Sequence, residues 1–117
     1  MSRIQRVVTG RTRLVALTWV HSGTGVRLPL RAIAQALPER VLVCVDGVHG
    51  FGARAETVGD LGCDAFVSGC HKWLYGPRGT GVLWANERVR ELIADLFAAG
   101  ATVTAYDPVA MHETQRI

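Results

Sequence analysis

The sequence predicts an α/β fold, a mostly parallel sheet with flanking helices. Three observations carry that reading. Apolar, β-branched runs recur as "LVALTWV" (14–20), "VLVCVD" (41–46) and "DAFVSG" (64–69), continuous as in strands buried on both faces. Amphipathic segments lie between them, the pattern of strands alternating with covering helices. Glycine and proline mark the junctions.

In chain order, the first run is broken by "HSGTGVRLP". Pro29 then suits the first turn of a helix through "LRAIAQAL", which sets Leu30, Ile33, Ala34 and Leu37 on one face before Pro38 stops it. The second strand ends in Asp46 and enters the turn "GVHGFGA". A short helix around "ETVGDLG" leads to the third strand. After the turn carrying Lys72, "GTGVLWA" (79–85) reads as a fourth strand. Asn86 caps a helix through "ERVRELIADLFAA", and Gly100 ends it. No internal repeat or low-complexity segment interrupts this order.

At 117 residues and 49% hydrophobic, the chain has the size and composition of one globular domain. Its apolar runs are far shorter than the ~18 residues of a membrane span, and "MSRIQRVVTGRTR" has no apolar export core after it. A cytoplasmic protein with no membrane partner is expected. The net charge of +3 comes from scattered arginines without interleaved aromatics, so no nucleic-acid partner is expected. Cys44, Cys63 and Cys70 are odd in number and lack paired ligand spacing. They read as reduced thiols, and they form no metal site with His49 and His71.

Lys72 is the single lysine among 13 basic residues. Every other positive charge is arginine, which stays protonated. A lysine in a partly desolvated pocket can lose its proton and attack a carbonyl. Ligands of open α/β sheets sit beyond the carboxyl ends of the parallel strands. That edge receives His21 and Ser22, then Asp46 and His49, then Ser68, His71 and Lys72. A carboxylate ending an apolar strand is costly unless it meets a cation or several donors. One reading is an ion pair with Lys72, and another is Asp46 capping its own turn. A third fits more of the residues. Across these strand ends pyridoxal 5'-phosphate would have Asp46 on its protonated ring nitrogen and Lys72 on its aldehyde as a Schiff base. His49 and His21 would approach the ring and its phenolic oxygen, and Ser68 and His71 the phosphate.

"VDGVHGFG", followed by "LGCDAFVSGCHKWLYGPRGTGVLW", resembles class V aminotransferases of fold type I. That family includes cysteine desulfurases and isopenicillin-N-epimerase-like enzymes. The elements that match in order are Asp46, His49, His71–Lys72 and the G-P-x-G-x-G run from Gly76 to Gly81. "TWVHSGTGVRLP" is similar to the family's upstream strand and loop, with His21 near the phenolic oxygen. The resemblance implies a partial fold type I large domain over residues 11–97 with a divergent tail over 98–117. It also implies an amino-acid substrate, a homodimer, and catalytic roles for Lys72 and His49. The family's upstream phosphate-cradling turn and its C-terminal domain, with an arginine for the substrate carboxylate, find no counterpart in this stretch. Ser68 stands four residues before Lys72, where desulfurase-like members place a serine three before. The tail "GATVTAYDP" is similar to a strand and turn of nucleotide-sugar dehydrogenases.

Two other readings compete. "GFGARA" (50–55) nearly matches the dinucleotide fingerprint, which would make the chain an NAD-binding Rossmann dehydrogenase. The strand after it ends "FVSGC", without the acid that would hold a ribose. The other is a catalytically inactive truncated remnant, or a partner-binding fragment.

Overall fold

In the computed structural model, residues 3–102 are described. Helix α1 (Arg3–Val7) precedes β1 (Leu14–Thr18), α2 (Leu30–Gln35), β2 (Leu42–Asp46), α3 (Val58–Leu61), β3 (Ala65–Gly69), β4 (Gly81–Ala85) and α4 (Glu87–Ala98). The strands form one sheet in the order β1-β2-β3-β4. β1, β2 and β3 run parallel, and β4 returns antiparallel to β3. Only residues 70–80 join β3 to β4, too few for the crossover a parallel neighbour needs.

Strand alternation decides which side chains are buried. Val43 and Val45 are buried, and Val45 pairs with Phe66, itself 0% exposed. Leu30 and Leu37 from the second helical segment and Leu61 from α3 complete the core on this face, with Trp19 and Val41. The rings of Trp19 and Phe51 meet Phe66 edge-on, with centroids 6.4 and 5.5 Å away, a favoured aromatic geometry. The opposite face carries Leu14, Cys44, Asp46, Val67 and Leu83, and there Leu83 is 76% exposed. The expected helical cover is therefore supplied by α2 and α3 on one side.

Local chemistry fixes the elements. The predicted apolar stripe of α2 is present, but Pro29 is the residue before the helix rather than its first. α3 is only one turn long, and a reciprocal capping box holds it: Thr57 N donates to Asp60 Oδ2 at 2.8 Å. Arg31 reaches from α2 to the carbonyls of Gly59 and Asp60 at 2.8 and 2.7 Å, placing a cation at the end of α3. Asp64 joins three elements by accepting from Val43 N at 2.8 Å and Asn86 Nδ2 at 2.9 Å, with Arg88 3.7 Å away. Asn86 accepts from Val89 N, the expected cap, and Gly100 ends α4 with φ of 86°. Helix α1 was not expected from the sequence. The proposed tail from residue 103 onward lies outside the described residues.

Candidate functional site

β2 and β3 lie side by side, with Asp46 opposite Val67. Both strands therefore deliver their following turns to the same end of the sheet. The turn after β2 carries Asp46 and His49, and the turn after β3 carries His71 and Lys72. His21 follows β1 at this end, beyond Trp19, whose N–H donates to the Asp46 carbonyl at 2.9 Å.

Asp46 is exposed on the open face, and its Oδ1 accepts from Val48 N at 3.0 Å. The turn-capping role is thus present, and it uses one carboxylate oxygen. Cys44, one alternation back on the same face, has its thiol pushed up by burial and by the Asp46 charge. Lys72 is exposed, and the ion pair with Asp46 does not form; the ion pairs among the described residues involve Arg27, Arg54, Arg88, Glu56 and Asp64. His49 is half-buried in its turn. His21 is exposed, its Nδ1 3.0 Å from Thr24 Oγ1. Ser22 is exposed beside it.

Ser68 is buried at 6% exposure, and its Oγ donates to the Gly69 carbonyl at 3.1 Å. It shares the covered face with Phe66, whereas Gly69, three residues before Lys72, shares the open face with Asp46. One residue of sequence offset thus exchanges the faces.

An open hollow of about 610 Å³ lies beside Asp46, walled by Val48, Val67, Gly69, Thr80 and Gly81 among others, with Ser68 contributing. Lys72, His71, His49 and His21 stand outside its walls. Glycines give the hollow its shape. A Cβ on Gly69 would lie 2.9 Å from His71 Cε1 and Nδ1, so the imidazole rests against that backbone. A Cβ on Gly81 would come within 3.0 Å of the Ser68 carbonyl. Gly81 closes the G-P-x-G-x-G run, whereas no motif marks Gly69; the two sit at paired strand ends, where small residues leave room for a ligand.

The turn "GVHGFG" is itself shaped by contact. A Cβ on Gly47 would meet the Phe66 ring at 2.1 Å, and one on Gly50 the Trp19 ring at 2.2 Å. These glycines receive core aromatics. The segment opens no helix at its third fingerprint position, since α3 begins at Val58. That corrects the dinucleotide alternative: Gly52, the second fingerprint glycine, lies against the backbone of Trp73 and Leu74 where the fingerprint requires backbone open to pyrophosphate.

The family model for class V aminotransferases matches residues 1–115. The chain belongs to the class V aminotransferase family. Among curated relatives, this class V chain is 39% identical over 94 residues to a cysteine desulfurase of Klebsiella pneumoniae, covering 80% of the chain and 23% of that protein. It is 36% identical over 84 residues to an L-cysteine desulfhydrase-like protein of Epichloe uncinata, covering 71% and 18%. Among solved structures, ureidoglycine-glyoxylate aminotransferase of Bacillus subtilis superposes with a TM-score of 0.69 at 33% identity, covering 80% of the chain and 24% of that protein. The apo cysteine desulfurase of Thermococcus onnurineus superposes at 0.62 and 29% identity, covering 68% and 20%. The class V chain spans about a quarter of the length of such relatives. Its sheet is a partial fold type I large domain, and the family is a pyridoxal-phosphate-dependent one.

The donor set suits that cofactor. Asp46 keeps one oxygen beyond its turn bond, facing a hollow whose glycine lining leaves room for a planar ring. An imidazole lies against Gly69 and the single amine follows in sequence. Among the described residues no cluster of His, Cys, Asp and Glu suits a metal, and no helix is long and apolar enough to cross a membrane.

Proposed function

We propose that this chain forms the cofactor-binding part of a cytoplasmic, pyridoxal-phosphate-dependent enzyme acting on an amino acid, by transamination, epimerisation or carbon–sulfur cleavage. The observation that carries this reading is the pairing of β2 with β3, which sends the Asp46 turn and the Lys72 turn to one sheet end.

When bound, the cofactor supplies an electron sink that stabilises negative charge at the substrate Cα. Asp46 would hold the ring-nitrogen proton through its carboxylate, keeping that nitrogen cationic. Lys72 would hold the aldehyde carbon through Nζ, and the same amine would take and return the Cα proton of the substrate. His49 approaches the ring from the turn three residues after Asp46, and His21 approaches the phenolic oxygen from the neighbouring turn. His71 and Ser68, on either side of Gly69, serve the phosphate, the Ser68 oxygen retaining lone pairs beyond the proton it donates. Residues 11–97 are the part that carries these roles, 98–117 are a divergent tail, and the active assembly is a homodimer.

The test uses the single lysine. The chain is incubated with graded pyridoxal phosphate and reduced with borohydride, and the adduct at Lys72 is mapped by mass spectrometry. A built site requires that the folded chain half-saturate at least about tenfold below the urea-unfolded chain, ~1.4 kcal/mol of site-specific affinity. Asp46→Asn should remove most of that difference, and Lys72→Ala should abolish the adduct. Equal labelling of folded and unfolded chain would leave the inactive remnant as the better description.

A further inference from the structure

Gly52 is the third glycine of "GVHGFG", and its contact differs from the other two. Gly47 and Gly50 lie against the core rings of Phe66 and Trp19. Gly52 lies against the chain that follows Lys72. A Cβ there would meet the Trp73 carbonyl carbon at 3.0 Å, Leu74 N at 3.1 Å and Leu74 Cδ2 at 3.0 Å. Two of these three atoms are backbone, which cannot swing aside as a side-chain end can. Gly52 also has φ of 84°, in the left-handed region that glycine enters without a Cβ penalty.

The three contacts act in series. Phe66 and Trp19 fix the first part of the turn to the core, and Gly52 then sets how closely the backbone at 73–74 can approach it. Asp46 and His49 stand on one side of that contact and Lys72 on the other. Beyond its turn bond to Lys72 O at 3.2 Å, the segment ends at Tyr75 with φ of 53°, the single non-glycine in the left-handed region among the described residues. A turn held at a sparsely populated dihedral needs surrounding contacts to keep it there.

We propose that Gly52 is a positioning residue that sets the separation between the Lys72 amine and the Asp46 carboxylate, and so the fit of a ring spanning the two. This rests on the assignment of Lys72 and Asp46 to the cofactor. Any side chain at 52 pushes residues 73 and 74, and Lys72 with them, away from the Asp46 turn. Tenths of an ångström suffice, because a rigid planar ligand held at two points tolerates little change in their spacing.

The test compares wild type, Gly52→Ala and Gly100→Ala by half-saturation of borohydride-fixed pyridoxal phosphate at Lys72 and by the visible band of the loaded chain. Gly100 has φ of 86° with nothing within 4 Å of a Cβ, so its alanine variant carries the dihedral cost without the contact. Gly52→Ala is expected to raise half-saturation at least about fivefold and shift the band, with Gly100→Ala within about twofold of wild type. Leu74→Ala, which removes the methyl facing Gly52, provides the same test if Gly52→Ala fails to fold. It loosens the turn and is expected to raise half-saturation by a smaller factor. Wild-type affinity in both Gly52→Ala and Leu74→Ala, or an equal loss in Gly100→Ala, overturns the proposal. If folded wild type labels no better than the unfolded chain, the cofactor assignment itself has failed, and that result is read from wild type alone.

Discussion

Asp64 shows how much one carboxylate can hold. It receives the Val43 amide, the Asn86 amide group and the Arg88 guanidinium, and so joins the entries to β2, β3 and α4. Hydrogen bonds to a charged group contribute about 1.5–3 kcal/mol each when a partner is left stranded. Asp64→Ala is expected to lower stability by roughly that amount, measured by urea unfolding, whereas Asp64→Asn retains part of it. The cysteines differ in a testable way too. Burial pushes the Cys63 thiol up to about 11, and only the thiolate alkylates readily. Cys63 should therefore be the last of the three to react with iodoacetamide at neutral pH, with modification read by mass spectrometry. The sequence shows at this scale that an acid precedes an apolar strand. Which amides it would receive depends on the pairing of β2 with a strand some twenty residues away.

Among the elements, α3 depends most on its ends, because a single turn closes too few hydrogen bonds to persist alone. The hydroxyl and amide of Thr57 hold the Asp60 carboxyl below its ordinary value of 3.8. A depressed folded value means the capping contribution is complete above pH 3.8 and is lost as pH falls through the lower, folded value. Protection factors of amides 58–61 should fall as pH drops through that acidic window in wild type, and in Asp60→Asn they should be lower and unchanged across it. Asn86→Ala at the start of α4 should cost about 1 kcal/mol, measured by thermal unfolding. Legibility in the sequence follows the same logic. β1, β2 and β3 could be read because continuous apolar runs are a strong local signal, and Asn86 and Gly100 because capping chemistry is local. α1 could not, since "RIQRV" has neither a cap nor a clear apolar stripe. That the turns carrying Asp46, His49, His71 and Lys72 reach one end of the sheet could be read from strand ends and the family resemblance. The place of Gly69 in the lining could not, because only the pairing of β3 with β4 sets it opposite Gly81.

Over the whole molecule, the sheet is covered unevenly. Phe66 and Val45 are sealed, yet Leu83 on the other face is 76% exposed and Leu14 52%. Among the described residues β1 and β4 are both edge strands, and uncovered edges with apolar neighbours favour association. Sedimentation of the isolated chain is expected to show concentration-dependent self-association, and Leu83→Lys should reduce it without lowering the unfolding midpoint, because that side chain has little burial to lose. Phe66→Ala should cost about 3–5 kcal/mol and collapse the Trp19 and Phe51 packing around it.

The reversal of β4 bears on the order in which the chain takes shape. β3 and β4 meet through an eleven-residue connection, residues 70–80, whereas β1 reaches β2 only after a helix and a long excursion. Short loop closures complete sooner than distant ones. The Lys72 segment therefore belongs to an early-forming hairpin, and pulse-labelled amides of 65–69 and 81–85 should gain protection before those of 14–18. On this sequence of events, the amine is already in place when the first strand arrives.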